Sequence, residues 1–461
     1  MAEKSDCMKS GLAHIVTVGT TPAGAGSDVI DALIKDLRAV KAKDVVLIAT
    51  SDSMKNAARL VKGLGIPDKA ARIFSLKSAN SLDEAYQATS TAISELLASE
   101  WKADEIILHY TAGTKVMSAG AVLAALRHEV QALRYLFSRG PGHTAIPTNT
   151  APQMVLLDNK IRLAAALMRE MRFRAAMDLM AVMSHVTGTD AQRRTISAMQ
   201  QIALAYAEWD SFRAQEFLRI YRHCEADLKS DPVLAQFTLP ASQIANLELI
   251  SRAEKSETLF PDELLIDMAN NAIRRLAERR PDDALIRLHR AAELLAQGIL
   301  LADFGIRTDD VDIRMVPPRS RTSFEAERRV DDATIKLGLR KSYELLEILG
   351  SPIGKAYARH EPLKSILQER RNFVLAHGTR PASMQLALEF YVEVEDLFAM
   401  RVKDFRKRAD AQQFPWIKNA DVIARLSRKP AANESVIEGK ATAKKAKATK
   451  PKKAATKAKS R

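Results

Sequence analysis

The stretch Glu105-Ile106-Ile107-Leu108-His109-Tyr110-Thr111-Ala112-Gly113-Thr114-Lys115-Val116-Met117-Ser118 reads as a strand, a tight turn and the start of a helix. Glu105 to Tyr110 is a short apolar run of the kind buried in a parallel sheet. Val116 to Leu126 carries a helical pattern that begins where the Gly-Thr-Lys turn ends. Unpaired backbone N–H groups and the helix dipole favour an anion at such a helix start. Gly113 lets the backbone come close, Thr111 and Thr114 offer hydroxyls, and Lys115 adds a point charge. Two readings stand at this point: a cradle for a phosphate-rich ligand, and a plain strand-to-helix turn such as any doubly wound domain contains.

Outward from this turn, residues from about 12 to 158 alternate short β-branched runs with helical periods, which is the pattern of a parallel sheet covered on both faces. Strands are expected at Ala13 to Val18, Val45 to Ala49, Ala71 to Leu76, Glu105 to Tyr110, Ala132 to Phe137 and Met154 to Leu157, with helices starting near Asp28, Ser53, Ser81 and Lys115. Ligands of such sheets collect outside the carboxyl ends of the strands, where the strand order reverses. Three loops leave those ends with suitable chemistry. They are Gly19-Thr20-Thr21-Pro22, Thr50-Ser51-Asp52-Ser53 and Thr111 to Lys115.

The first loop is no dinucleotide fingerprint. Gly19, Gly24 and Gly26 miss the Gly-x-Gly-x-x-Gly spacing, and Thr50-Ser51 stands where an acid would hold a ribose. The chain also has no Gly-x-x-x-x-Gly-Lys-Ser/Thr loop, which argues against an ordinary nucleotide triphosphatase.

With 461 residues the chain is long enough for about three domains. No apolar run approaches the roughly 18 residues of a membrane span, and acids occupy the N-terminus where a signal peptide needs an apolar core, so a cytoplasmic protein is expected. Cys7 and Cys224 give neither a disulfide framework nor metal-ligand spacing. Ten of the fourteen net positive charges sit between Lys440 and Arg461, a Lys/Ala-rich tail with no acid in it. Residues 429–461 are expected to be disordered, either attracting polyanions or serving as a solubilising tail.

After Asp158 the β signal disappears and the chain reads as helical to about Lys407. Met168 to Met177, Ala207 to Phe217 and Arg274 to Leu288 share a local pattern, an apolar helix that ends in a polar turn and restarts with alanines. That suggests helical hairpins, although a generic bundle fits as well. Thr308 to Val330, with Pro317-Pro318 and many charges, reads as a loop between helices.

Within this helical part, Gln368-Glu369-Arg370-Arg371-Asn372-Phe373-Val374-Leu375-Ala376-His377-Gly378 places an arginine, an amide and a histidine at the end of a helix. Gly378 is read as its stop, and a further helix runs from Met384 to Met400. Arginine and histidine suffice to cut RNA without a metal. The 2′-hydroxyl attacks the neighbouring phosphate, histidine moves protons near neutral pH, and the guanidinium holds the phosphorane. Asn372 would orient one of them or the phosphate. The competing reading is an ordinary helix C-terminus, where Arg and His merely offset the dipole.

Together the two segments resemble the ancillary ribonucleases of type III CRISPR systems. Gly113-Thr114-Lys115 with Met117 is similar to the signature of their Rossmann-like sensor domain (CARF), and Arg371-Asn372 through His377 is similar to the Arg-polar-x(3 to 5)-His signature of the HEPN ribonuclease domain. The resemblance covers about residues 12 to 405. It implies a fold class of α/β plus all-α: a CARF domain over 1–158, a helical linker domain over 159–260, a HEPN domain over 261–410 and the tail.

It also implies an endoribonuclease of antiviral defence that cleaves single-stranded RNA, works as a homodimer, and needs no metal or cofactor beyond an activating cyclic oligoadenylate. The expected catalytic residues are Arg371, Asn372 and His377. The expected ligand contacts are Gly19, Thr20, Thr21, Ser51, Asp52, Thr111, Gly113, Thr114, Lys115 and Met117. One departure from the family pattern is Ala112, where relatives often carry a second glycine. The alternative function is a nucleotide sensor that binds nucleic acid or a partner protein without cleaving anything.

Overall fold

The structure, a computed structural model, describes residues 11–20, 29–65, 67, 71–137, 146–183, 188–256, 259–329, 333–369, 373 and 378–427. The chain folds as two compact units. One runs to Ala164 and also takes in Asp178–Ser197. The other consists of Ala165–Met177 and everything from Ala198 onward. The expected HEPN segment, 261–410, falls in the second unit, and the expected linker segment, 159–260, is divided between the two.

The first unit is a six-stranded sheet in which helices alternate with strands. In chain order it comprises β1 (Ala13–Val18), α1 (Val29–Ala39), β2 (Asp44–Thr50), α2 (Met54–Leu64), β3 (Ala71–Leu76), α3 (Leu82–Ala98), β4 (Ile106–Ala112), α4 (Lys115–Arg127), β5 (Ala132–Phe137) and β6 (Ile146–Thr150). The strand order is β3-β2-β1-β4-β5-β6, with every pairing parallel except the last.

β1 is buried along its whole length and β2 from its second residue onward, which is why both read as unbroken apolar runs rather than alternating ones. Their side chains still divide by parity. Ile15, Val46, Ile48 and Leu108 pack under Ile93 and Leu96 of α3 and Ala121 and Ala124 of α4. Val16, Val18, Val45 and Leu47 pack against Leu33 and Leu37 of α1 and Leu60 of α2 on the other face. Each fully buried Leu, Ile or Val contributes roughly 1.5–3 kcal/mol, so these two layers supply most of the drive to fold the unit.

The sixth strand is a correction. Met154 to Leu157 is not a strand but the beginning of helix α5 (Gln153–Arg169). Four consecutive apolar residues suit either element. What decides is farther along: Leu157, Ile161, Ala164 and Met168 are buried at helical spacing, while Met154 and Val155 stay exposed. The true edge strand, Ile146-Pro147-Thr148-Asn149-Thr150, is exposed throughout and pairs antiparallel with β5. Its proline is tolerated because an edge strand need not donate on both sides.

The remaining helices are α6 (Phe173–Met183), α7 (Asp190–Asp210), α8 (Ala214–Ser230), α9 (Ala241–Ala253), α10 (Asp262–Ala277), α11 (Pro281–Phe304), α12 (Arg321–Glu325), α13 (Leu339–Ile348), α14 (Pro352–Arg359), α15 (Glu361–Glu369), α16 (Met384–Ala399), α17 (Phe405–Ala411) and α18 (Asn419–Ser427). Helical structure therefore continues past Lys407. None of the described helices is long and apolar enough to cross a membrane.

The three segments with a shared local pattern are three copies of one turn. Met171, Phe212 and Arg279 each adopt a left-handed backbone, with φ of 59°, 60° and 59°. In each case the next residue's N–H returns to the helix just ended: Arg172 to Leu167, Arg213 to Glu208 and Arg280 to Arg275, all at 2.9 Å. This is a Schellman closure made without glycine, and the same arginine carbonyls then accept the first bonds of α6, α8 and α11.

The stretch expected as a loop from Thr308 is more ordered than its charges suggest. It contains α12 and buries Val311, Val316 and Phe324.

The core of this unit is aromatic. Tyr206, Trp209, Phe217, Phe237, Phe414 and Trp416 lie in mutual ring contact. Fully buried Arg274 stands over the Phe414 ring at 4.3 Å and bonds Asp210 Oδ1 at 2.8 Å and Gln413 Oε1 at 2.9 Å.

Candidate functional site

β1 and β4 are neighbours in the sheet but far apart in sequence, and the chain moves outward from them in opposite directions. The point where the strand order switches therefore lies between their carboxyl ends. Gly19 leaves β1 there and Gly113 leaves β4. The two loops touch: a Cβ on Gly19 would lie 2.1 Å from the Ala112 carbonyl oxygen, and one on Gly113 would lie 2.9 Å from Thr17 Cβ. Only glycine permits either approach, so the crevice is floored by bare backbone.

The helix beginning there is capped from within. Thr114 Oγ1 accepts the Met117 N–H at 3.2 Å and donates to the Ala79 carbonyl at 2.6 Å. Thr111 Oγ1 accepts the Leu136 N–H at 2.8 Å, tying the end of β4 to β5. The Thr114 hydroxyl proton is thus committed to Ala79, whereas the Thr111 proton is not engaged by that bond. Ahead of α4's own hydrogen-bond ladder are the first-turn amides of Lys115 and Val116. The Lys115 side chain is exposed above them.

Met117, expected among the ligand contacts, is fully buried in the core under α4. Its contribution is to hold the turn from beneath. Ser51 and Asp52 are exposed on a single 3₁₀ turn after β2, which is closed by Thr50 and Ser53. Thr20 is exposed next to Gly19, and Thr21 lies outside the described residues.

Under the same sheet lies a buried polar chain. His14 of β1 and His109 of β4 meet at 2.8 Å between Nδ1 and Nε2. On the α1 side, Arg134 clamps Asp36 with two bonds of 2.6 and 2.7 Å. Burial, with Arg134 adding to it, pushes His14 down to about 4. Burial and the neighbouring His14 push His109 down to about 3. Both rings are neutral at physiological pH.

In the second unit, Arg371, Asn372 and His377 lie outside the described residues. Their flanks are placed. α15 ends at Glu369, Phe373 is buried and bridges Arg380, and the Gly378 N–H donates to the Phe373 carbonyl at 3.0 Å. Ala382 N–H then reaches the Asp282 carboxylate of α11 at 3.2 Å, and Ser383 caps α16.

A family model described as the Csm6 HEPN domain matches residues 254–401, a span that includes Arg371, Asn372 and His377. Among solved structures, Enterococcus italicus Csm6 bound to cyclic hexa-2′-fluoro-hexa-dAMP is similar over 90% of this chain and 99% of its own, at 13% identity and a TM-score of 0.50. This chain has the build of a Csm6-type CARF–HEPN protein. No curated protein gives a significant match.

Phe373 and Gly378 lie within the span that the Csm6 HEPN model matches, and the crevice at Gly19 and Gly113 lies in the sheet ahead of it. Three further residues of the crevice carry no local sequence signal. Asn56 of α2 donates to the Gly19 carbonyl at 2.8 Å, fixing the first loop. Thr17 supports Gly113, and the Ala79 carbonyl holds the cap of α4. None stands near the Gly-Thr-Lys turn in sequence except through the sheet order.

Proposed function

We propose that this chain is a cyclic-oligoadenylate-activated endoribonuclease of type III CRISPR antiviral defence. The observation that carries the reading is the occurrence in one chain of a Csm6 HEPN match and a glycine-floored crevice at the switch point of a Rossmann-like sheet. Gly19, Thr20, Thr21, Ser51, Asp52, Thr111, Gly113, Thr114 and Lys115 line or flank the ligand. The Lys115 ammonium and the first amides of α4 meet a phosphate. Two copies of the crevice related by a two-fold axis suit a cyclic, symmetric ligand, which makes a homodimer the working state.

Arg371, Asn372 and His377 carry the cleavage. The substrate's own 2′-hydroxyl attacks the adjacent phosphorus, the bond to the 5′-oxygen breaks, and a 2′,3′-cyclic phosphate is left. His377 moves the proton, and Arg371 stabilises the charge on the phosphorane. This chemistry asks for no metal and no cofactor. The ligand raises activity only by binding the competent dimer more tightly than the idle one.

The test is cleavage of a single-stranded RNA in EDTA, with and without cyclic tetra- or hexa-adenylate. Cleavage that depends on one of the rings and falls about 10²-fold or more in His377→Ala supports the reading. Cleavage indifferent to His377→Ala, or a protein that binds neither ring, overturns it.

A further inference from the structure

The second unit contains a cavity of about 780 Å³ where two of the three glycine-free turns come together with α18. Its rim is formed by Arg169 and Arg172 at the α5–α6 turn, Arg279 and Arg280 at the α10–α11 turn, and Lys418 and Arg425 around α18. Three acids, Glu170, Glu278 and Asp421, face these six cations.

The balance is more one-sided than the count. Glu278 is engaged by Arg275 at 3.0 Å, and Arg280 is engaged by Asp283 at 2.7 Å. Arg169 bonds the Gln236 amide at 3.1 Å. Arg172, Arg279, Lys418 and Arg425 have no ion-pair partner among the described residues, and all four are exposed. Helix C-termini do call for cations, but α5 and α10 together present only about one negative charge. Four unpaired cations exceed that. Trp416 also lines the cavity, and its indole N–H is buried with no acceptor among the described residues.

We propose that this cavity binds the phosphodiester backbone of single-stranded RNA, as a holding site separate from the HEPN residues that cut it. The assignment of RNA rests on the ribonuclease reading above. Guanidinium forks match phosphate oxygens in bidentate fashion, and an aromatic ring among cations is the combination that grips a single strand without reading its sequence. At one turn Arg172 follows the left-handed Met171, and at the other Arg279 is itself the left-handed residue with Arg280 after it, so both turns place arginines on the lining. The same feature that makes the hairpins thereby builds the rim. A strand held here keeps its local concentration high at the paired HEPN domains.

The experiment titrates the full-length protein with a fluorescent 2′-O-methyl oligonucleotide, which cannot be cleaved, at several salt concentrations and without cyclic oligoadenylate. Two double variants strike the rim from different elements: Arg172→Glu with Arg279→Glu, and Lys418→Glu with Arg425→Glu. Each is expected to weaken binding at least tenfold and to lower the slope of log affinity against log salt by about 1.4, the value for two lost phosphate contacts on a single strand.

Unchanged affinity and slope in both pairs, each with an unaltered melting temperature, overturn the proposal. Displacement of the oligonucleotide by inorganic phosphate or AMP at matched phosphate concentration would also overturn it, because the site would then be for a small anion. A strand bound at the rim but, when unmodified, not cleaved even with cyclic tetra- or hexa-adenylate added sinks the ribonuclease reading and leaves the cavity assignment standing. Normal cleavage with unchanged binding in the variants sinks the cavity alone.

Discussion

Gly19 and Ala112 are in backbone contact, with room between them for no side chain: a Cβ on Gly19 would stand 2.1 Å from the Ala112 carbonyl oxygen. The obstacle is main chain inside a paired strand, so it cannot rotate aside as a long side chain would. Gly19→Ala must push the loop after β1 away from β4 and break the bond from Asn56 to the Gly19 carbonyl. The sheet itself, buried on both faces, should survive. The expected outcome is a loss of cyclic-oligoadenylate binding of about tenfold or more by calorimetric titration, with a melting temperature close to the parent's. Ala112→Gly, which removes only a methyl group from the same turn, serves as the control and should bind at least as well as the parent.

Thr114 holds the opposite side of the crevice through two bonds, one to its own helix and one to the Ala79 carbonyl. Thr114→Val keeps the shape and loses both. An N-cap is typically worth about 1 kcal/mol, and leaving the Ala79 carbonyl without its partner adds a cost of similar size. A fall in unfolding free energy of about 2 kcal/mol in denaturant titration is expected, with recovery in Thr114→Ser. Equal stability of the Val and Ser variants would show that the hydroxyl does not anchor the helix.

The order of strands and helices in the first unit was readable because β1, β2 and β4 are short apolar runs separated by helical periods, and their carboxyl-end loops carry the small polar residues a ligand crevice uses. Two features were not readable there. β6 has no buried side chain to leave a pattern, and Met154 to Leu157 imitates a strand until the spacing of Ile161 and Met168 is taken into account. Asn56 became part of the crevice only through the packing of α2 beside the loop after β1, a relation that no local motif contains. The shared turns at Met171, Phe212 and Arg279 were visible as a repeated pattern, but their identity as one backbone motif was hidden because the left-handed position is never glycine.

Arg274 joins α7, α10 and the segment after α17, because its buried guanidinium is shared among Asp210, Gln413 and the Phe414 ring, while Asp267 takes the Trp209 indole N–H at 2.9 Å. Removing one partner of a buried charge cluster leaves the others without compensation, at a cost of about 3–5 kcal/mol. Arg274→Ala should therefore lower the stability of the second unit by that amount in denaturant unfolding. Arg274→Met with Asp210→Asn, which removes charge of both signs, should lose less than Arg274→Ala. A larger loss in the double variant would mean that packing, not charge balance, dominates at this position.

The His14–His109 pair makes the first unit acid-sensitive in a defined window. Both rings are held below the usual 6.5, His14 at about 4 and His109 at about 3, chiefly by burial, so the folded state refuses protons that the unfolded chain accepts. Between pH 6.5 and about 4 the unfolded state binds more protons, and stability therefore falls as pH falls, by up to about 1.4 kcal/mol per pH unit for each histidine. Below about pH 3 both states are protonated and this contribution levels off. Melting temperatures recorded from pH 8 to pH 4 should hold steady above 7 and then decline, and the decline should be shallower in His14→Gln with His109→Gln. Ring-proton NMR shifts of the two histidines should stay constant down to about pH 5 in the native protein. That readout stands even if the double variant folds poorly, and a native titration near 6.5 would contradict the buried, neutral pair.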